Sequence, residues 1–556
     1  MRSARTFVLA AAMVALVSMQ DAHAARKTVC TITVNSADER DTFRRYLPKD
    51  EYDFVELVER GRPDWLASAC HKGIQCDVLL ISGHFDGGDE FYSDRVDARE
   101  SLPTDELLRV SCSDACPGLF SKLEEVYLFG CNTLNADHAS DPAALVRDLV
   151  RAGRLPADAE QLAQRLDAER VDTNRDRMRM IFKDVPVIYG FSSKAPLGAS
   201  AAPVLERYFR SGGAAEVASG NPSGNLLALF APVSMAVTRG ETSSDPQGAY
   251  RRNVCMFADD RVSAAKRADF VHALLRRDAA EARILIDPLE KYASTLGDAD
   301  QRPPEVSKPL AEIAHDADAK GRWLMLARAT EDGTLRARMI ALAARLGWLT
   351  PSQKLDELGA MIAERIARSD LDVPDVELVC TLNADASLDA TLARVAVAAG
   401  DARDPARSAM LACLGSGSAR ARVIGDLTGA RERDVRIAQV YLRHHPIVDV
   451  ADVRGVASRI PRMRDVEGQV RALDTLAFQR VSDRESLESL AQLFTIARTI
   501  NVQRAIAGVL IRSDYESIAK PELVRALRDK RKKSPDGHDL IDVLIRRMQA
   551  SLDRAA

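Results

Sequence analysis

Two short apolar runs, each closed by a glycine and a reactive side chain, constrain this chain more than any other feature. The first runs from Cys76 to His84 (Cys-Asp-Val-Leu-Leu-Ile-Ser-Gly-His) and the second from Glu125 to Thr133 (Glu-Val-Tyr-Leu-Phe-Gly-Cys-Asn-Thr). An unbroken aliphatic and aromatic run bounded by glycine predicts a strand covered on both faces, as in a parallel α/β sheet. The residue that closes such a strand stands at its carboxyl end, where open α/β sheets hold their ligands. His84 and Cys131 therefore become a candidate pair, an imidazole and a thiol at the ends of two strands of one sheet.

A strand ending in Ser-Gly-His followed, 47 positions after its His, by the Cys of a strand ending in Gly-Cys-Asn-Thr resembles the caspase-like cysteine peptidases, with the CHAT branch nearest. The resemblance covers about residues 26 to 215. It implies a mostly parallel sheet flanked by helices, with His84 and Cys131 as catalytic residues. It also implies substrate contacts from Gly83, Phe85 and Gly130, and from Ser192 and Ser193 in the loop Ser192-Ser193-Lys194, where relatives build the side-chain pocket. Most of those peptidases have Gly after the His and Ala before the Cys; this chain has Phe85 and Gly130. In the family, backbone N–H groups near the Cys and that Gly hold the oxyanion.

Export is expected from the first residues. Arg2 and Arg5 precede an apolar stretch, Val8 to Met19, too short to span a membrane, and Ala22-His23-Ala24 supplies small residues for cleavage. Residues 1–24 thus read as a signal peptide, and the mature chain as periplasmic or secreted, without a membrane span. A net charge of −4 and 28% charged residues give no reason to expect nucleic acid as a partner.

An oxidising compartment changes how nine cysteines are read. With Cys131 set aside the remainder is even. Cys70 and Cys76, and Cys112 and Cys116, are the candidate bridge formers. A zinc reading of Cys70, His71, Cys76, Cys112 and Cys116 lacks the tight C-x-x-C spacing, so neither metal nor cofactor is expected. Cys380 and Cys413, on apolar helical faces, read as buried free thiols.

Residues 25–258 alternate strand and helix signals. Strands are expected over Val29 to Val34, Tyr52 to Val58, the run ending at His84, the run ending at Cys131, and Val185 to Phe191. Helices are expected from Ser36 to Arg45, Pro63 to Lys72, Pro103 to Val110, Ala143 to Arg170 and Ala199 to Arg210. Between them, Gly87-Gly88-Asp89-Glu90-Phe91 spells a diguanylate cyclase signature. No acidic metal-binding motif precedes it, and it reads as a glycine turn with solvated acids. His138, in a polar segment seven residues past Cys131, reads as a surface histidine rather than the base.

Residues 259–556 lose strand signals, and Ala, Leu and Arg recur at helical spacing. Related segments begin at Thr334, Pro405, Asp434, Gln469 and Asn501, and Asp-Val-Arg-x-Ala at Asp434 resembles the HEAT-repeat helix. An all-α, solenoid-like repeat region is expected, with a surface for a protein partner. The alternative is an irregular helical bundle.

Two function classes follow. One is an exported peptidase in which the Cys131 thiolate attacks a peptide or protein substrate and His84 polarises it or protonates the leaving amine. The other is an inactive caspase-like scaffold that only binds.

Overall fold

The computed structural model describes residues 26–57, 66–85, 88–94, 100–113, 116, 118–137, 141–296, 303–399, 403–479, 481–535 and 537–555. The signal-peptide residues 1–24, His138 and the first three residues, 63–65, of the expected helix Pro63 to Lys72 lie outside them. Two compact units divide the chain, Met1–Arg322 and Trp323–Ala556.

The first unit is built on a six-stranded, mostly parallel sheet. Its strands are β1 (Lys27–Thr33), β2 (Tyr52–Glu56), β3 (Val78–Ser82), β6 (Glu125–Phe129), β7 (Val187–Phe191) and β8 (Met235–Thr238), in the order β2-β1-β3-β6-β7-β8. Only β8 runs antiparallel, against β7. A separate hairpin pairs β4 (Glu90–Tyr92) with β5 (Ser101–Pro103).

Every residue of β3, β6 and β7 is buried, which is why those strands read as continuous apolar runs. Alternate side chains supply two faces. Val78, Leu80, Tyr127, Phe129, Tyr189 and Phe191 enter one core with Phe43 of helix Asp38–Tyr46 and Leu205 and Phe209 of helix Gly198–Arg210. Phe43 sits edge-on between Tyr127 and Phe209, 5.0 Å from each ring. The single helix expected over Ala143 to Arg170 is two, Pro142–Arg151 and Pro156–Glu169, parted at Gly153 with φ +91°. Strand β8, the hairpin and helices Asn174–Ile181 and Gly248–Ala258 carry no sequence signal strong enough to predict them.

The cysteines correct two expectations. Cys70, Cys76, Cys112 and Cys116 are all bridged, but Cys70 does not pair with Cys76 nor Cys112 with Cys116: the pairs are Cys30–Cys76, Cys70–Cys116 and Cys112–Cys255. Cys380 and Cys413 are not free thiols but a fourth pair. The first two bridges tie β1 to Cys76, two residues before β3, and helix Ala67–His71 to the segment before β6, joining residues remote in sequence. Cys131 is the free cysteine. Four disulfides are compatible with a periplasmic or extracellular location. Among the described residues no helix is long and apolar enough to cross a membrane.

Helices continue in the first unit through Ala264–Leu275 and Pro304–His315. The second unit is all helical among the described residues. Helices Pro405–Cys413, Glu432–His444, Val466–Phe478, Ile500–Arg512 and Leu540–Ala555 each contact the next, and Gly417–Asp426, Val450–Arg459, Arg484–Ile496 and Pro521–Lys530 form a second row. One device recurs between the rows. Gln469 donates to the carbonyl of Ile460 at 2.9 Å and Gln503 to that of Phe494 at 3.1 Å, each satisfying the end of the helix before its own.

Candidate active site

Register brings the site together. β3 pairs with β6 from Val78↔Glu125 to Ser82↔Phe129, and β1 pairs with β3 up to Thr33↔Ser82. Asn35, His84 and Cys131 each lie two residues past those last pairs, side by side on three neighbouring strands. The order of strands reverses between β1 and β3, so this is the switch point of the sheet, the place where such sheets open a crevice. A small solvent-open cleft lies there, with Asn35, His84, Cys131 and Ala195 to Gly198 in its walls and the buried Glu39 and Ser82 at its floor.

His84 is held by backbone and side chain alike. Its N–H and C=O exchange 2.9 Å bonds with Tyr92 at the hairpin, and the two rings lie 5.4 Å apart. Asn35 Nδ2 lies 3.1 Å from His84 Nε2. The N–H of Asp94 reaches Asn35 Oδ1 at 3.5 Å, which turns the amide nitrogen toward the ring. In that arrangement Nε2 accepts and the ring proton resides on Nδ1. The exposed Asp94 carboxylate stands 3.7 Å from Nε2, within ion-pair distance of a protonated ring.

Cys131 is partly exposed, and its Sγ accepts the N–H of Ala195 at 3.4 Å. The next residue, Asn132, has φ +59°, a left-handed turn that asparagine tolerates better than most residues. The Asn132 N–H donates to Ser193 O at 2.7 Å and its carbonyl accepts from Asn174 Nδ2 at 3.0 Å. Thr133 Oγ1 completes the turn, donating to Gly130 O and accepting the Phe191 N–H.

Below the pair, Phe85 is fully buried and packs on Phe91, 4.6 Å between rings. Gly130 is required by this packing. A Cβ added there would stand 2.8 Å from Phe85 Cβ and 3.0 Å from the Gly83 carbonyl. The bulky residue after the histidine and the missing methyl before the cysteine are thus one feature. Phe91, the last residue of the Gly-Gly-Asp-Glu-Phe segment, belongs to this packing; Asp89 is exposed and paired with Arg177.

Gly83 and Gly130 line the cleft, whereas Phe85 lies beneath it. Ser192 and Ser193 stand outside its lining: Ser192 bonds Ser234, and Ser193 offers only its carbonyl to Asn132. The wall is built two to five residues later, by Ala195, Pro196, Leu197 and Gly198. Gly198 lets its helix approach closely, since a Cβ there would fall 2.7 Å from Ser36 Cβ.

Asn35, Glu39 and Ala195 are site residues that sequence reasoning passes over. The signal for Asn35 is its place directly after the first apolar strand; Glu39 and Ala195 carry none. Glu39 is buried, accepts the Ser82 hydroxyl at 3.0 Å, and burial pushes its carboxyl up to about 7 despite the hydrogen bonds that oppose the shift. No family model matches the chain, and neither a curated protein nor a solved structure matches it.

Proposed function

We propose that this protein is an exported cysteine endopeptidase of the caspase-like type, nearest the CHAT branch. The observation that carries the reading is the row Asn35, His84 and Cys131 at the switch point of a mostly parallel sheet, opening on one cleft. Cys131 attacks the scissile carbonyl as thiolate, forming the S–C bond of an acyl-enzyme. His84 takes up the proton that leaves the Cys131 thiol, hands it to the departing amine as the C–N bond breaks, then takes one from the water that hydrolyses the thioester and returns it to the released sulfur. The Asn35 contact at Nε2 supports this reading by fixing the ring in one orientation beside the cleft.

The second unit is read as a HEAT-like, solenoid-type region that binds a protein partner or presents the substrate. Its two rows of helices and recurring glutamine support this, as do Val448, Phe478 and Ile496, apolar side chains left in solvent. The deciding experiment treats mature protein with a thiol-reactive peptide probe at limiting dose and maps the modified residue. Labelling confined to Cys131 and lost in His84→Ala supports the peptidase. Unreactive Cys131, with a binding partner retained on the helical unit, leaves the inactive scaffold.

A further inference from the structure

Away from the cleft, three soft ligand groups converge in the second unit. Cys380 lies on helix Val373–Leu382, Cys413 ends helix Pro405–Cys413, and His445 follows helix Glu432–His444, three helices packed on one another. One donor atom from each lies within 4.8 Å of the other two. Both cysteines are buried. The His445 ring is stacked on Tyr441 at 4.9 Å, and its Nε2 is buried with no hydrogen-bond partner, an atom that a covalent link between the two sulfurs leaves unsatisfied. The surroundings are stiff: Asn383 donates to the Cys413 carbonyl at 2.8 Å and accepts from the Leu388 N–H at 2.7 Å, clamping the ends of the two cysteine-bearing helices.

We propose that Cys380, Cys413 and His445 form a binding site for one soft cation, Cu+ or Zn2+, open to metal while the two cysteines are thiols and closed once they are joined as a disulfide. Thiolate sulfur with imidazole nitrogen selects such ions. Loading replaces two S–H protons with two metal–sulfur bonds and leaves the imidazole as a neutral third ligand. Metal–sulfur bonds of about 2.3 Å hold the sulfurs apart, so metal and disulfide exclude each other. Closure as a disulfide takes two electrons and two protons from the same thiols, delivered to an exchangeable disulfide of an oxidising dithiol protein. The site would make stability of the helical unit depend on which arrives first as the chain folds.

The test uses the full mature chain, reduced with a phosphine under argon and titrated with Cu+ or with Zn2+ against a chromophoric chelator. Wild type should hold one equivalent more than Cys380→Ser, an equivalent that His445→Gln weakens at least tenfold, while His445→Cys, which keeps a soft ligand, retains it. Retention of Cu+ alone indicates three-coordination; retention of Zn2+ indicates a further ligand, and either supports the site. Equal affinity in wild type and His445→Gln overturns it, because the metal then resides on the remaining cysteines. Loss in both His445→Gln and His445→Cys with unchanged helical circular dichroism overturns it as well.

Discussion

His84 and Cys131 are in register: each stands two residues past the paired Ser82 and Phe129, so the 47 positions between them in sequence equal the offset of the whole β3–β6 ladder. Strand ends in register lie about 5 Å apart. At that spacing the thiol and the ring both line the one cleft.

Loss of the nucleophile is the first expected outcome. Cys131→Ala should reduce peptide hydrolysis to background, and His84→Ala should lower kcat/KM by about a hundred to ten thousand-fold. Turnover on a panel with Arg, Lys, Asp or small residues before the cut checks this, with helix content followed by circular dichroism.

Asn35 is expected to act as a positioning residue. Asn35→Ala frees the His84 ring to turn, and kcat should fall about tenfold, the worth of one hydrogen bond, with KM little changed. A purely structural role would instead lower the melting temperature and leave kcat and its pH profile alone. Asn35→Ser, which keeps a polar partner for the ring, should recover part of the rate.

Gly130 and Phe85 should couple. Gly130→Ala forces a methyl against Phe85 and should cost about 1–3 kcal/mol, and Phe85→Gly empties a buried site at about 3–5 kcal/mol. The double variant should cost clearly less than the sum of the two in chemical denaturation, because the added methyl then faces a vacancy. Strict additivity would show that the two residues do not share the space.

Glu39 gives a pH dependence of defined sign. Its carboxyl is held at about 7 when folded against an ordinary 4.5, so between those values the folded chain binds a proton that the unfolded chain has released. Stability contributed by this group therefore falls as pH rises from about 4.5 to 7 and stays low above. Glu39→Gln should match the wild type near pH 4 and exceed it at pH 8 by on the order of 2–3 kcal/mol. Glu241, buried and also raised to about 7 mainly by burial, leaves a residual slope of the same sign in the variant.

Peptide mapping without reductant should recover Cys30–Cys76, Cys70–Cys116, Cys112–Cys255 and Cys380–Cys413, with Cys131 alkylated. Cys112→Ser opens the longest of these loops and should cost about 2–5 kcal/mol, measured by thermal unfolding.

The sequence by itself determined the buried strands and what stands at their ends. A strand covered on both faces must be apolar at every position, so Val78 to Ile81 and Val126 to Phe129 announce themselves, and His84 and Cys131 follow by position. The loss of strand signal past residue 259 likewise marks helices, because their apolar period of 3.6 is written locally. Tertiary structure alone decided what depends on residues remote in the chain. Disulfide partners are set by which layers touch, so Cys76 joins Cys30 rather than its near neighbour Cys70. Asn35 becomes a partner of His84 only through the β1–β3 register, and Ala195 reaches the thiol only because the loop after β7 folds back over Cys131. The short, half-buried β8 has too few inward residues to show a period and takes its place from β7 beside it. Local pattern records burial; which groups meet inside that burial is fixed by packing across the sheet.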